Sequence, residues 1–315
     1  MSHADPASVP ASSNAQVLVD HLALTARGGD IWSSEPTPLP LRTGPGRIFG
    51  GQVIAQALLA AEASAPEGRP LASFHCRFLR AGKVEQPILY HLQRDLDGRS
   101  FTHRRIVAEQ DGTPILTATV MLHATEPGLA HQPDLPPPGD PETALAAMRS
   151  AMERGGTLGG DLARLIAPER PFEVVPVDIG QWDVREPAPA PVRGWLRFRA
   201  PVPDRPGMHR AILGYISDSM LVQALNLNHG ISWFRGEYDL ASLDHMIWFH
   251  DDFRADDWLL YVTECQWARH GRTLTRGEFY RRDGRLVATV MQELLIRLTE
   301  AGKARVGITG GSHAD

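Results

Sequence analysis

Two stretches of the chain are apolar around nearly the whole circumference of a helix. The first is Gly50 to Ala61, GGQVIAQALLAA; the second runs through Met220, Leu221, Val222, Ala224, Leu225 and Leu227. A helix without a polar face is buried inside something rather than laid on a surface. Ahead of the second, Leu213 to Ser217 reads as the end of an extended segment, so Asp218 falls where a buried helix begins. Unpaired backbone N–H groups favour negative charge there. Between and after these helices the apolar period changes to two. Phe74, Cys76 and Phe78 alternate with His75, Arg77 and Leu79, and further alternating segments lie at 88–93, 101–110 and 115–123. Asp97-Gly98 and Asp111-Gly112 are hairpin signals among them. The later half repeats the pattern at 172–177, 195–198, 242–250, 258–265, 273–281 and 286–296. One buried helix with a meander of strands is an α+β unit in which a curved antiparallel sheet wraps the helix.

Lining up the two halves shows an internal repeat. Gln56-Ala57-Leu58 matches Gln223-Ala224-Leu225, which sets Gly51 opposite Asp218; His75 faces His245, and Thr119-Val120-Met121 faces Thr289-Val290-Met291. Opposite Asp218, Ser242 and Gln292 the first half carries Gly51, Ala72 and Leu122. Residues needed only to hold the fold should be needed in both copies, so the difference suggests one chemically equipped half and one scaffold half. The competing reading of Asp218 alone is an N-cap, a common use of Asp. Ser242 alone reads as a satisfied strand hydroxyl, and Gln292 as a strand-end amide.

The expected organisation is a polar, disordered start at 1–14, with a short amphipathic helix from Val17 to Thr25. A first unit spans 15–124, a Pro-rich linker with a helix near Pro141 to Arg154 spans 125–170, a second unit spans 171–300, and a flexible tail follows at 301–315. A length of 315 residues exceeds one ordinary core and suits a doubled domain. With 43% hydrophobic and 22% charged residues the composition is that of an ordinary globular protein. A net charge of −5 without a basic run excludes a nucleic-acid footprint. No apolar run reaches the ~18 residues of a membrane span, and neither the start nor the terminal SHAD carries an address, so the expected compartment is the cytoplasm. The two cysteines, Cys76 and Cys265, read as buried free thiols, and thirteen scattered histidines give no metal-ligand spacing. The expectation is no metal and no cofactor.

Collinear segments then identify a family. RIFGGQVIAQAL (47–58), SFHCRFLRAG (73–82), DGRSFTHRRIVAEQDG (97–112), HQPDLP (131–136), LGYISD (213–218), SLDHMIWFH (242–250) and TRGEFYRRDGRLVATVMQE (275–293) resemble the type II acyl-CoA thioesterases, the TesB-like double-hotdog enzymes, over roughly 15–300. The resemblance implies two tandem hotdog units, each a long central helix wrapped by a curved antiparallel β-sheet, with acyl-CoA as the partner and hydrolysis to free acid and CoA as the activity. It implies a catalytic Asp218, Ser242 and Gln292, the positions the repeat comparison singles out. Some relatives carry Thr in place of Ser242, which keeps the hydroxyl.

In the mechanism this implies, Asp218 takes a proton from a water that Ser242 and Gln292 fix, and the thioester needs no covalent intermediate. Gly50 and Gly51 are candidate backbone contacts to the developing oxyanion, with simple close packing as the alternative. Ser242 as a nucleophile lacks an evident histidine base, and His245 with its counterpart His75 reads as structural. Trp233, Trp248 and Trp258 are assigned to the core or an acyl tunnel. Competing classes are a non-catalytic acyl-CoA-binding protein on the same fold, against which the intact trio counts, and a hotdog enoyl-CoA hydratase, whose Asp and His motif is absent. A serine esterase is disfavoured because no G-x-S-x-G segment occurs. Exposed sheet edges lead to an expected homo-oligomer, most simply a dimer of double hotdogs.

Overall fold

The computed structural model describes residues 13–42, 46–135, 139–182, 184 and 186–308. The expected disorder at 1–12 and the tail at 309–315 therefore lie outside the described residues. Ser13 belongs to the folded part: its hydroxyl caps helix α1 (Asn14–Leu22) by accepting from Gln16 N.

Among the described residues, thirteen antiparallel strands form one continuous sheet. The first half supplies β1 (Thr25–Gly28), β2 (Ile31–Ser33), β3 (Leu71–Phe78), β4 (Leu89–Asp97), β5 (Phe101–Gln110) and β6 (Thr113–His123), with helix α2 (Gly50–Ala63) buried against them. Alternation of buried and exposed positions, clearest along β5, turns one face onto that helix. Asp111 and Gly112, both at positive φ, close the β5–β6 hairpin between paired Gln110 and Thr113, as the Asp-Gly signal requires.

A connection carrying α3 (Pro141–Glu153) and α4 (Gly156–Leu165) leads to the second half. Its start is docked on that half: the Gln132 side chain donates to Gly284 O and accepts from Leu286 N. The second half holds β7 (Phe172–Pro176), β8 (Val192–Phe198), α5 (Pro206–Ser217), α6 (Leu221–His229), β9 (Tyr238–Ser242), β10 (Asp244–Phe249), β11 (Leu259–Arg269), β12 (Arg272–Arg281), β13 (Leu286–Leu298) and α7 (Glu300–Arg305). The expected tail begins inside α7, which Thr299 caps and whose Gly302 is buried against the Glu237 carbonyl.

The order across the sheet is β1-β2-β4-β5-β6-β3-β10-β13-β12-β11-β8-β7, with β9 also on β13. It reads the same from either end once β3 is matched with β10, β6 with β13 and so outward. This is the double hotdog of the α+β class, two tandem units joined where β3 pairs with β10. The symmetry corrects the sequence repeat at the helices. The partner of α2 across the centre is α5, against which it packs, and not α6. Residues 213–217, expected as extended, are the last turn and a half of α5. The mismatch has a simple source: α5 and α6 are both apolar, and the Gln-Ala-Leu of α6 imitates that of α2.

The α2–α5 contact depends on glycine at three places. A Cβ at Gly51 would stand 2.3 Å from the Tyr215 carbonyl oxygen, one at Gly214 2.7 Å from Leu58 Cδ1, and one at Gly207 1.8 Å from the Glu62 carboxylate. Gly51 near the start of α2 meets the end of α5, and Gly207 near the start of α5 meets the end of α2. The true first-half counterpart of Asp218 is thus Glu62, because each of these acids lies eleven positions after its own helix's glycine.

Candidate active site

Asp218 is not an N-cap: it is the C-cap residue that ends α5. The helix stops there as Ser219 Oγ donates to Ile216 O at 2.5 Å, a side-chain bond that competes for one of the last carbonyls. The chain then restarts as α6, two residues after Ser219. This break leaves the Asp218 carboxylate at the start of α2. A Cβ on Gly50 would lie 2.9 Å from its Oδ2, and the Gly51 N–H donates to the carboxylate.

Ser242 and Gln292 are brought to it by an irregularity in the sheet. Ser242 on β9 faces Leu294 of β13, whereas Met246 on β10 faces Met291. Four steps on one strand thus span three on the other, which is a bulge. Such bulges re-aim side chains. Gln292 Nε2 donates to Asp218 Oδ1 at 2.8 Å and to Ser242 Oγ at 2.7 Å, and Ser242 Oγ reaches Asp218 Oδ1 at 3.4 Å. The three expected residues form one hydrogen-bonded cluster, 24, 50 and 74 positions apart in sequence. Burial pushes the Asp218 carboxyl up to about 6, against the hydrogen bonds from Gln292, Ser242 and Gly51 that pull it down. A carboxylate tuned to that range, beside a hydroxyl and an amide, can accept a proton from water near neutral pH.

The sequence reading missed a layer behind the cluster. His245 is fully buried; its Nδ1 lies 3.1 Å from Gln292 Oε1 and its Nε2 2.8 Å from Ser217 Oγ. Burial lowers its pKa to about 4. Its assumed counterpart His75 does not match it. In the β3–β10 pairing His245 stands opposite Cys76 and Met246 opposite His75, so the two rings face opposite sides of the sheet, and His75 rests edge-on against Trp248. The inward alternation of His245, Ile247 and Phe249 was the available signal. Asp244, next along, is tied to the Arg77 side chain and accepts from Glu293 N at 2.7 Å.

Other expected features fall elsewhere. Trp258 is buried with the Arg197 guanidinium 4.4 Å over its ring, while Trp233 is 52% exposed and so is not a core residue. Cys76 is buried, with its thiol pushed up, whereas Cys265 is only half-buried. Among the described residues, no cluster of three His, Cys, Asp or Glu could hold a metal ion, and no helix is long and apolar enough to cross a membrane.

Comparison with known proteins agrees with this architecture. Residues 38–123 match the family described as acyl-CoA thioesterase N-terminal domain and residues 136–296 the acyl-CoA thioesterase C-terminal domain. The chain is 36% identical to human acyl-coenzyme A thioesterase 8 over 80% of its own length and 81% of that protein's. It is 34% identical to acyl-CoA thioesterase 2 of Haemophilus influenzae, over 81% and 89%. Among solved structures, an acyl-CoA thioesterase II, TesB2, from Mycobacterium marinum superposes with a TM-score of 0.70 at 30% identity, covering 90% of this chain and 98% of the other. With both halves of the fold matched in order and the similarity running through most of the chain, this protein belongs to the type II, TesB-like family of acyl-CoA thioesterases.

Proposed function

We propose that this enzyme hydrolyses acyl-CoA to a free carboxylic acid and CoA by direct attack of water, with Asp218 as general base. The observation that carries this reading is the Gln292 amide held between Asp218 and Ser242. The Ser242 hydroxyl reaches the carboxylate only at 3.4 Å, a weak bond that an arriving water can take over. That water gives its proton to Asp218 as its oxygen bonds to the thioester carbonyl carbon. The tetrahedral intermediate then breaks its C–S bond, and the proton passes from Asp218 to the departing CoA sulfur.

The oxyanion is assigned to the first turn of α2, at Gly50 and Gly51. Backbone N–H groups and the helix dipole supply partial positive charge there without side-chain reorganisation. A side chain at Gly50 would intrude on Asp218 Oδ2, so glycine lets the carboxylate come close to this helix start. The assembly assigned to the enzyme is a homo-oligomer. Strand β1, exposed along its whole length at one end of the sheet, is the edge that needs a partner, since β7 at the other end is buried. Light scattering giving a monomer mass would remove that assignment.

The deciding experiment is thiol release from acyl-CoAs of increasing chain length, for the native protein and Asp218→Asn side by side. Turnover in the variant is expected to fall ~10²–10⁴-fold with acyl-CoA binding retained, the range for a general base. Binding without hydrolysis by the native protein would instead make it an acyl-CoA carrier.

A further inference from the structure

We propose that His245 is a positioning residue for hydrolysis: its Nδ1–H fixes which end of the Gln292 amide faces Asp218. The inference rests on the water mechanism above and adds a residue to it.

An amide side chain is nearly symmetric in shape but opposite in polarity at its two ends. Turned over, Gln292 would aim its carbonyl oxygen at the Asp218 carboxylate and at the Ser242 lone pairs, and the water site would lose its donors. While Asp218 is ionised, its negative charge alone favours the amino end. During turnover Asp218 takes up the water's proton and that preference vanishes, at the stage when Gln292 must keep the carboxyl and Ser242 in register. Something outside the reacting groups has to hold the amide through that change.

His245 is placed for this. Its Nδ1 stands 3.1 Å from Gln292 Oε1, on the far side of the amide from Asp218. The carbonyl oxygen can only accept, so Nδ1 carries the hydrogen. In the neutral ring Nε2 is then an acceptor, and the Ser217 hydroxyl donates to it at 2.8 Å. Gly214 O, 2.9 Å from Ser217 Oγ, is the alternative acceptor for that single hydrogen. The ring is fully buried and its lowered pKa keeps it neutral at working pH, so the tautomer does not change as Asp218 gains and loses its proton. The order Ser217, His245, Gln292, Asp218 runs from the last residue of α5 through two strands and back to the residue after it. The relay thereby ties the carboxylate to the segment that positions it.

Three substitutions test this. His245→Asn sets an amide nitrogen near the place of Nδ1, His245→Gln sets it nearer the place of Nε2, and His245→Leu has neither. The expected result is a loss of kcat on the order of 10²-fold in the Leu and Gln variants with KM unchanged, the scale for a misplaced catalytic group. Asn should recover most of the rate. Combining His245→Leu with Gln292→Leu should cost no more than Gln292→Leu alone, as for two residues acting through one contact. The proposal is overturned if Asn is as slow as Gln, or if the Leu variant keeps native kcat. The Asn–Gln comparison still decides should Leu fail to fold. Asp218→Asn, measured alongside, separates the two levels: if it stays active the water mechanism itself fails, whereas its inactivity with full activity of His245→Leu removes only the role of His245.

Discussion

Asp218 works against the stability of the protein it serves. Its carboxyl titrates at about 3.8 unfolded and about 6 in the folded site, with burial as the main cause. The folded state therefore holds this proton more tightly than the unfolded state. Its contribution to stability is full below about 3.8 and is lost as pH rises through about 6. At pH 7 the ionised buried group costs on the order of 3 kcal/mol, at 1.36 kcal/mol per pKa unit. Asp218→Asn should consequently raise the melting temperature near neutral pH while cutting turnover sharply, and the gain should fade below about pH 4, where the native carboxyl is neutral in the unfolded chain as well as in the folded one. Calorimetry of the two proteins across that range checks both sign and window. Activity runs the opposite way: a base must be ionised, so kcat/KM should fall as pH drops through about 6, and the lower limb of a pH–rate profile shows this directly. At this scale the sequence was informative about identity and poor about surroundings. Ser242 and Gln292 stood out because the first half has Ala72 and Leu122 at the aligned positions. His245 did not, because the alternation along its strand gives its face but not its partners.

Among the elements, the α2–α5 pair controls the site. A methyl group at Gly51 would sit 2.3 Å from a backbone oxygen, which no rotamer change relieves, so the helices would have to part. Gly51→Ala should destabilise by about 1–3 kcal/mol, the usual cost of overpacking, and should slow turnover by moving the Gly51 N–H off Asp218. Thermal melts with parallel rate measurements test the pairing of the two effects. Alanine at Gly207 should be milder, since it meets the movable end of Glu62 rather than backbone. The apolar circumference of α2 was enough to predict a buried helix. The α5–α6 boundary was not legible, because both segments are apolar and the break comes with a serine side chain, Ser219, bonding to a preceding carbonyl. The bulge that aims Ser242 was equally hidden: alternation of period two persists on each side, and only pairing with β13 reveals the extra residue.

For the whole molecule, the cluster is a product of the seam between the two halves. Asp218, Ser242 and Gln292 lie in the second half, but the helix start they face belongs to the first, and β3 covers the edge of β10. A fragment of residues 139–308 retains all three residues. It is expected to show no thiol release from acyl-CoA and to self-associate through the exposed edge of β10, which assay and size-exclusion chromatography would establish together. The same seam explains the pseudo-symmetry. Glu62 sits at the other end of the helix pair against Gly207, its carboxyl pushed up by burial, in the place Asp218 holds at the active end.

The sequence by itself determined that there are two α+β units, that each encloses an apolar helix and where most strands run, and, through the family resemblance, it pointed to the residues proposed here to handle the water. Periodicity fixes these because burial of one face is a local demand written into each segment. Tertiary structure alone decided which helix is the counterpart of which, that Asp218 ends a helix and faces the start of another, and that His245 backs Gln292. Those relations join residues tens of positions apart through side-chain geometry and close helix contact, for which a linear pattern has no period.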